Sequence, residues 1–375
     1  MRGLWKLTVS AIGHAVRHIP YRLHSGRPPA PLGARILTNP DDIFQYNMWD
    51  HVQWSPEEFE KAKQKAEENS RDRIPVEEQV RYKRDAHKYW NRFYEMHQNK
   101  FFKNRQWLFS EFPELLPQGC EAKHTSGGQE SEETDQVSRG SSHKDSLIDS
   151  SDVLGEQQQQ QQHTSCSSSV KSHNTVAFPG QHASFRILEV GCGAGNSVFP
   201  VINTIRDSNA FLYCLDFSFR AIQLVKEHPD YDPAVCHAFV QDVCDGASLF
   251  PFPRGSLDVI LVVFVLSSIH PERMQGVLNH LAGYLKHGGI ILFRDYGRYD
   301  LSQLRLKKGQ CLSENFYTRQ DGTCVYFFTK EEVHQLFTTA GLEEVQNLED
   351  RRLQVNRGKK VVMHRVWIQS KYRKP

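Results

Sequence analysis

The segment FRILEVGCGAGN, residues 185–196 of this 375-residue chain, carries the pattern best suited to hold a ligand. Its apolar run Phe185–Val190 predicts a buried strand, and Gly191, Gly193 and Gly195 follow at once, as in a tight turn into a helix. Glycine lacks a Cβ, so the backbone at such a turn can approach a ligand closely. The pattern predicts a ligand-binding strand–turn–helix unit, although a glycine-rich turn without a ligand is the alternative.

Two acids follow at the ends of the next predicted strands. Asp216 ends the run FLYCLD about twenty residues after the glycines, where an acid is placed to bond ribose hydroxyls. Asp242 ends the run AVCHAFVQD in the same way. The spacing G-x-G-x-G, preceded by Glu189, differs from the G-x-G-x-x-G of dinucleotide-binding turns. These acids favour a nucleoside-containing ligand, and the spacing disfavours a dinucleotide.

The elements that must position these residues alternate between strands and helices. LDVILVVFVLSSIHP (257–271) is almost continuously apolar, as in a strand buried on both faces. Helical spacing follows over 270–286, a further strand over 290–297 and a helix opened by a capping box over 329–340. Two last strands flank a turn at 356–358. The order predicts an α/β fold with a doubly wound, mostly parallel sheet and an antiparallel hairpin at its C-terminal edge.

Composition excludes several other classes of protein. The net charge is +2, so overall charge does not identify a partner. The eight cysteines form no C-x-x-C pair, which disfavours zinc, thioredoxin-like and disulfide frameworks, and no metal site is predicted. A reducing compartment is the expected setting. No apolar run approaches the ~18 residues that span a bilayer, so membrane insertion is not expected.

The first 40 residues contain no Asp or Glu, and a helix over residues 3–19 would be basic and amphipathic. Such a leader is typical of a mitochondrial transit peptide, which we assign to residues 1–25, and it predicts a location in the mitochondrial matrix. A disordered basic tail that binds RNA is the alternative.

Residues 118–182 are rich in Ser, Gly, Gln, Glu and Asp and include six consecutive glutamines. A segment with so few large apolar groups cannot offset its ordering entropy, so we predict a disordered low-complexity linker. A tolerated spacer is favoured over an interaction tract.

Residues 36–117 form a helical region with many cations beside aromatic residues. Its longest helix is predicted over Val76–Asn99. Aromatic rings can stack on unpaired bases while cations meet phosphates, so the region is predicted to bind RNA, with Lys103, Arg105 and Trp107 as candidate contacts. For any single aromatic residue, burial in a core is the simpler interpretation.

Six segments together resemble one known family. They are HKYWNRFYEMHQNKFFKNRQWLFSEFPEL, FRILEVGCGAGN, YCLDFS, FVLSSIHP, LFRDYGRYD and ENFYTRQDGTCVYFF. The glycine segment resembles motif I of class I S-adenosylmethionine-dependent methyltransferases. The whole set resembles the eukaryotic tRNA N3-methylcytidine methyltransferases of the methyltransferase-like group, over residues 36–117 and 184–375. The leader with ARILTNPDDIFQYNMWDHVQWS resembles the mitochondrial member of that group.

The resemblance implies a class I fold with a seven-stranded sheet over 184–375 and S-adenosylmethionine as the cofactor. The implied cofactor contacts are Trp90 and Tyr94 closing over it, Gly191 under its methionine part, Gly193 in the same turn, Asp216 at the ribose, Asp242 with Val243 at the adenine, and Val263 in the adjoining wall.

The reaction implied by the resemblance is methyl transfer to N3 of an unpaired cytidine, at position 32 of a tRNA anticodon loop. Cytosine N3 has a free lone pair, so no covalent nucleophile is required, and no Pro-Cys or D/N-P-P-Y/F motif occurs. Arg294 and Asp295 follow the last parallel strand, at the sheet edge where ligands bind. Asp295 is expected to accept a hydrogen bond from the exocyclic amine of the base or to offset the positive charge of the methylated base. The alternative is a structural ion pair with Arg294.

Other classes of function stay open at this point. A non-catalytic RNA-binding scaffold is one. A methyltransferase that acts on cytosolic tRNA, mRNA, a protein or a small molecule is another. Basic residues in the last 25 positions favour an RNA substrate, the anticodon stem-loop of tRNA. An aminoacyl-tRNA synthetase or another RNA-binding protein is a candidate partner.

Overall fold

The computed structural model describes residues 33–117 and 177–375. The leader predicted over residues 1–25 and most of the predicted linker lie outside the described residues. The strands of the described ranges are β1 (Met48–Trp49), β2 (Phe185–Val190), β3 (Ala210–Asp216), β4 (Cys236–Val240), β5 (Leu257–Val263), β6 (Leu285–Tyr296), β7 (Cys311–Ser313), β8 (Phe316–Thr318), β9 (Cys324–Tyr326), β10 (Glu343–Asn356) and β11 (Val361–Arg373). The α-helices are α1 (Pro56–Ser70), α2 (Val76–Arg84), α3 (Ala86–His97), α4 (Leu108–Glu111), α5 (Val198–Ile205), α6 (Phe219–Lys226), α7 (Pro271–Ala282), α8 (Leu301–Leu304) and α9 (Lys330–Thr339).

The central sheet has the predicted doubly wound α/β arrangement. Its strand order is β1-β10-β11-β6-β5-β2-β3-β4. Strands β2 to β6 pair in parallel, and the β10–β11 hairpin pairs antiparallel to β6. The order reverses between β2 and β5, which is where open α/β sheets bind ligands. The glycine turn follows β2 and therefore lies at this switch point.

The sheet has eight strands, one more than the seven predicted. The additional strand β1 comes from the N-terminal region and pairs antiparallel with Leu353 and Gln354 of β10. Trp49 in β1 is 4% exposed and packs with Leu353 and Val355. Burial of this ring covers part of an otherwise open sheet edge. A two-residue strand carries no alternation that a sequence pattern could reveal.

Two apolar layers cover the two faces of the sheet. One contains Leu188, Ile260 and Phe293 with α7 and α9, and the other contains Ile187 and Leu261 with α5. Every residue of β3 is buried, as expected for a parallel strand between two helical layers.

The N-terminal region shares this core. Leu108, Phe112 and Leu115 are fully buried and pack in the layer on the α5 side of the sheet. Glu111 accepts a hydrogen bond from Arg352 Nη2 at 2.8 Å, which joins the region to the C-terminal hairpin. Aromatic residues near Trp107 therefore act mainly as core residues, the simpler of the two interpretations.

The single helix predicted over Val76–Asn99 is two helices, α2 and α3. The chain leaves helical geometry at Asp85, where ψ is 12°. The Asp85 carboxylate pairs with Arg84 at 2.8 Å and with Lys88 at 3.2 Å across the break. The break lets α2 and α3 lie over different parts of the sheet edge.

The C-terminal end of the predicted linker packs on the sheet. Phe178 contacts the apolar layer on the α7 side, and Pro179 O accepts a hydrogen bond from the Tyr213 hydroxyl. Gly180 O accepts from Arg186 Nε at 3.1 Å. The packed chain therefore begins before residue 184, the start that the sequence suggests.

A small antiparallel sheet, β7-β8-β9, is inserted between β6 and α9. Its Leu312 and Phe316 pack with Ile74, which precedes α2. Gln79 of α2 donates a hydrogen bond to Leu312 O at 2.8 Å. This sheet and α2 together stand beside the switch point of the main sheet.

Candidate active site

A cavity of about 600 Å³ opens at the C-terminal edge of the parallel strands. Its floor contains Gly191, Asp216, Asp242 and Val243, each at or after the end of a parallel strand. Parallel strands bring their carboxyl ends to one edge, so residues distant in sequence meet there. Six of the eight predicted cofactor residues line this cavity, namely Trp90, Tyr94, Gly191, Asp216, Asp242 and Val243.

The glycine turn is held in a conformation that side chains oppose. Gly191 has φ +61° and Gly193 has φ +53°, in the left-handed region. A Cβ on Gly191 would stand 2.6 Å from Val265 Cγ2, and one on Gly193 would stand 2.6 Å from the Tyr94 hydroxyl. Both positions need glycine, because the turn passes directly against the cavity wall and Tyr94.

Asp216 is the most buried acid of the floor, with 5% exposure. Its carboxylate accepts hydrogen bonds from Gly193 N at 3.0 Å and from Ser218 N at 2.8 Å. Burial raises the pKa of Asp216 to about 6, and these two backbone donors act in the opposite direction. The carboxylate is thereby fixed between the glycine turn and α6, with its remaining acceptor capacity available to the cavity.

Asp242 lies in a more open part of the same floor. Its Oδ1 accepts a hydrogen bond from Cys244 N at 2.8 Å, and its Oδ2 stands 3.4 Å from Arg273 Nη2. The neighbouring Val243 is 7% exposed and adds an apolar surface. One acceptor beside one apolar wall suits the edge and face of a purine ring.

Helix α3 forms a roof over the floor. Trp90 and Tyr94 stack with ring centroids 6.0 Å apart and 28° between planes. Burial raises the pKa of the Tyr94 hydroxyl well above its usual value, so the hydroxyl keeps its proton. Asn91 anchors this helix, because its Oδ1 accepts a 2.6 Å hydrogen bond from the Ser218 hydroxyl beside Asp216.

Sequence reasoning missed part of the wall. The predicted wall residue Val263 is 3% exposed and packs in the apolar layer on the α5 side, whereas Phe264 and Val265 line the cavity. Phe264 has φ +59°, so the chain turns sharply at the end of β5. The sequence signal for Phe264 and Val265 is only that they directly follow the apolar run of β5.

Comparisons with known proteins agree with this geometry. A family described as a methyltransferase domain matches residues 157–347. The chain is 52% identical over 342 residues to the zebrafish (Danio rerio) tRNA N(3)-cytidine methyltransferase METTL2, covering 91% of this chain and 88% of that protein. It is 49% identical to human METTL2B, which has the same activity name, covering 92% of this chain and 93% of the relative. Human "tRNA N(3)-cytidine methyltransferase METTL8, mitochondrial" is 47% identical, and the match covers 73% of this chain and 99% of that protein.

The chain belongs to the tRNA N(3)-cytidine methyltransferase family. It is an enzyme with a methyltransferase domain, and its cofactor is S-adenosylmethionine. The cavity fits this group because Gly191 and Gly193 leave a cradle that a Cβ would fill, and because buried Asp216 offers acceptors for ribose hydroxyls. The residues that would hold the cofactor are those of the floor and the roof.

In this methyltransferase Arg294 and Asp295 lie on opposite sides of β6. The Arg294 guanidinium pairs with Asp350 at 2.7 Å and stands 5.1 Å from the Trp107 ring centroid, away from the cavity. Asp295 is fully buried, and its carboxylate accepts from Ser267 N at 2.9 Å. Burial raises the pKa of Asp295 to about 6. Neither residue lines the cavity, so a catalytic role for either one stays a prediction.

The three predicted RNA contacts are not on one surface. Lys103 is exposed. The Arg105 side chain is 14% exposed and donates to the Ser197 hydroxyl at 2.9 Å. Trp107 is half-buried against Arg294. An RNA-binding role for Arg105 and Trp107 stays a prediction, but both side chains are directed into the protein.

The mouth of the cavity has a different set of basic residues. Helix α2 places Lys83 and Arg84 there beside Val76 and Val80, which are 72% and 56% exposed. The four positions fall on one helical face. Exposed apolar groups next to cations at an open cavity suit a ligand with both bases and phosphates.

The described ranges, 33–117 and 177–375, contain no group of three or more His, Cys, Asp or Glu that could hold a metal ion. In the same ranges no helix is both long and apolar enough to cross a bilayer.

Proposed function

We propose that the enzyme transfers a methyl group from S-adenosylmethionine to N3 of an unpaired cytidine, at position 32 of a tRNA anticodon loop. The observation that carries the proposal is that the cofactor floor and the basic, apolar mouth of α2 meet in one and the same cavity. Membership of the tRNA N(3)-cytidine family supports the choice of atom, and the resemblance of the sequence motifs supports the position in the loop.

The reaction does not require the protein to remove a proton from the base before methyl transfer. S-Adenosylmethionine supplies a methyl group on a positively charged sulfonium, and the lone pair of neutral cytidine N3 can accept it without prior loss of a proton. The positive charge then resides on the base. The protein contributes mainly by positioning the two reactants in line and by stabilising positive charge.

The carboxylates of the cavity match this demand. Asp216, Asp242 and Glu272 all line it, so three acidic groups border the space in which the positive charge would move. Asp216 and Asp242 would hold the ribose and the adenine. Trp90 and Tyr94 would cover the cofactor and exclude water from the reacting atoms. Exclusion of water strengthens each of these electrostatic interactions.

The base must leave any stack to present N3, because N3 lies on its Watson–Crick edge. An anticodon loop supplies bases that are already unpaired. The Phe264 ring lines the cavity and is a candidate for stacking, and the exposed Lys83 and Arg84 at the mouth are available for phosphates. Together they support entry of the loop at the mouth beside α2.

The test of the RNA surface is a pair of variants at the mouth. The double variant Lys83→Gln/Arg84→Gln is expected to weaken tRNA binding roughly tenfold at moderate salt. The slope of log affinity against log salt concentration should decrease by an amount that corresponds to about two phosphate contacts. Cofactor affinity should stay close to wild type. The matched control is Lys61→Gln with Lys63→Gln, two exposed cations of α1. Equal loss in both pairs would mean that a general basic surface binds tRNA.

The test of the reaction is methylation by the purified full-length enzyme. Anticodon stem-loops with cytidine or uridine at position 32 are mixed with labelled cofactor, and the modified site is mapped by primer extension, which stops at N3-methylcytidine. Transfer restricted to the cytidine form supports the proposal. Transfer to mRNA or protein instead, or cofactor binding without turnover on any RNA, would replace it with another substrate or with a scaffold role.

Localisation to the mitochondrial matrix is also proposed. The acid-free leader supports it, and one relative, METTL8, is named mitochondrial, whereas the METTL2 relatives carry no compartment in their names. A fluorescent fusion of residues 1–40 should enter mitochondria. A cytosolic fusion would favour cytosolic tRNA as the substrate.

A protein partner, an aminoacyl-tRNA synthetase or another RNA-binding protein, is proposed as an aid to tRNA selection. The purified enzyme should then methylate tRNA more efficiently when the synthetase for that tRNA is added. Equal turnover with and without a synthetase would remove the partner from the proposal.

A further inference from the structure

Arg105 is a cation of the N-terminal region that points into the methyltransferase core. Its backbone N–H donates to Asn196 O at 2.9 Å, and its Nη1 donates to the Ser197 hydroxyl at 2.9 Å. Nη1 also stands 3.9 Å from Glu189 Oε1. One residue therefore contacts the end of β2 and the chain that leaves the glycine turn, on either side of Gly191 to Gly195.

The same guanidinium also reaches the cavity wall. It stands 5.5 Å from the ring centroid of Phe264, which lines the cavity. Phe264 has φ +59°, a conformation that non-glycine residues keep only when their surroundings hold them there. Its N–H donates to Arg294 O at 2.8 Å on one side, and Arg105 packs against its ring on the other.

Glu189 needs a cationic neighbour because it is 2% exposed and its Oε2 accepts no hydrogen bond from a described residue. Burial raises the pKa of Glu189 to about 7, Arg105 lowers it and Asp216 raises it. The charge of Glu189 also raises the pKa of the Tyr94 hydroxyl of α3. Arg105 is the cation that lowers the pKa of both Glu189 and Tyr94.

We infer that Arg105 is a positioning residue that holds the glycine turn and Phe264 in the arrangement required for cofactor binding and methyl transfer. By this inference the N-terminal region supports the active site from the side opposite to the cavity. It does so through the Arg105 guanidinium, which contacts neither cofactor nor RNA. The planar fork matters because one side chain must reach Ser197, Glu189 and the Phe264 ring together.

The test compares Arg105→Gln, Arg105→Lys and Ser197→Ala in the full-length enzyme. Arg105→Gln is expected to weaken S-adenosylmethionine binding roughly tenfold and to lower kcat, while KM for tRNA changes less than about twofold. Arg105→Lys keeps the charge but not the fork, so it should recover part of the loss. Ser197→Ala should give a smaller loss of the same kind.

The pH profile separates positioning from a general loss of packing. Without Arg105 the pKa of Glu189 should rise further, so Glu189 should titrate at a higher pH than in wild type. The pH dependence of cofactor affinity in Arg105→Gln should therefore extend to higher pH values than in wild type. Glu189→Gln in the same background should remove that difference. Lys100→Gln, an exposed cation of the same segment, should leave cofactor affinity unchanged.

The cofactor titration does not depend on the RNA substrate, so its outcome is independent of the proposed function. Wild-type cofactor affinity and kcat in Arg105→Gln, with weaker tRNA binding, would overturn the inference and return Arg105 to an RNA-contact role. If Arg105→Gln does not fold, unchanged affinity and kcat in both Arg105→Lys and Ser197→Ala would overturn it as well.

Discussion

The floor and the mouth of the cavity are held in different ways. In the floor, Asp216 is 5% exposed and held by the backbone N–H groups of Gly193 and Ser218. At the mouth, α2 leaves Val76 72% exposed and meets the opposite wall through an exposed ion pair, Lys83 to Glu272 at 3.6 Å. Buried hydrogen bonds to a charged group contribute about 1.5–3 kcal/mol, whereas exposed ion pairs contribute about 0–1 kcal/mol.

This difference indicates separate tasks for the two regions. The floor is preorganised for one ligand, so a change there should act on the cofactor. The mouth faces solvent, so a change there should act on the entry of the larger substrate. The predictions below would contradict or refine this division, beginning with the largest effect.

Asp216→Ala should produce the largest effect. Loss of a carboxylate that can accept from ribose hydroxyls is expected to weaken S-adenosylmethionine binding by about 1.5–3 kcal/mol, roughly 10- to 150-fold, as measured by calorimetry. Asp245→Ala removes an exposed acid of a neighbouring loop and should have no effect on affinity. A folded Asp216→Ala protein with wild-type affinity would contradict the assignment of the floor.

Gly193→Ala tests the point where floor and roof touch. Its Cβ would stand 2.6 Å from the Tyr94 hydroxyl, so cofactor affinity is expected to fall roughly 30-fold, since strain at positive φ and the displaced ring each cost about 1 kcal/mol. Adding Tyr94→Phe should recover part of the loss. Gly255→Ala is the control, because Gly255 has φ +66° but no atom near its Cβ position. Equal affinity losses in the two glycine variants would exclude a specific contact.

The pH dependence of cofactor binding should follow Asp216. Its pKa of about 6 means that the carboxylate gains a proton below that pH and loses acceptor capacity for ribose hydroxyls. Affinity is expected to fall up to tenfold per pH unit below about pH 6, in calorimetric titrations from pH 5 to 8. Asp216→Asn should remove the fall in affinity below about pH 6 and leave any dependence that comes from Glu189. An unchanged slope in that variant would assign the titration to another group.

Stability without cofactor should change with pH in the opposite direction. Burial raises the pKa of Asp216 from 3.8 to about 6 and that of Glu189 from 4.5 to about 7. The folded protein therefore binds protons more tightly than the unfolded chain, and this stabilisation is complete below the unfolded values. It is lost as pH rises through about 6 to 7, so the contribution of these acids to the melting temperature should decrease over that range. Asp216→Asn and Glu189→Gln should each reduce the decrease.

Deletion within the predicted linker should have the smallest effect. Removing residues 122–176 is expected to leave the melting temperature and the turnover nearly unchanged, since long surface insertions add little entropy cost. Extending the deletion through residue 182 removes Phe178 and the carbonyls that accept from Tyr213 and Arg186, so it should lower the melting temperature. Equal results for the two deletions would mean that those contacts add no stability.

Much of the floor could be predicted because its pattern is local. A buried strand that ends in glycine or an acid fixes the position of that residue at the sheet edge, whatever else the chain does. Gly191, Asp216 and Asp242 are of this kind, and all three line the cavity. The predicted wall residue Val263 precedes the true wall residue Phe264 by one position. An apolar run does not show at which residue the strand ends.

The N-terminal region was harder to interpret from its sequence. Clustered cations and aromatics predict an RNA surface, yet the pattern does not say which side chains face inward. Phe112 is fully buried, Arg105 is directed at Glu189, and Trp107 packs against Arg294. Exposed Lys83 and Arg84 lie at the cavity mouth instead.

The sequence alone determined the α/β fold, a nucleoside-containing ligand and the floor, because each depends on periodicity, turn chemistry and spacing within short segments; S-adenosylmethionine followed from the resemblance of longer motifs to a known family. Tertiary structure alone decided that β1 extends the sheet, that Arg105 fastens the glycine turn from behind and that α2 forms the mouth. These features depend on contacts between segments about a hundred residues or more apart, such as Arg105 with Ser197 and Trp49 with Leu353. Only packing of the whole chain selects such partners, since no local pattern records them.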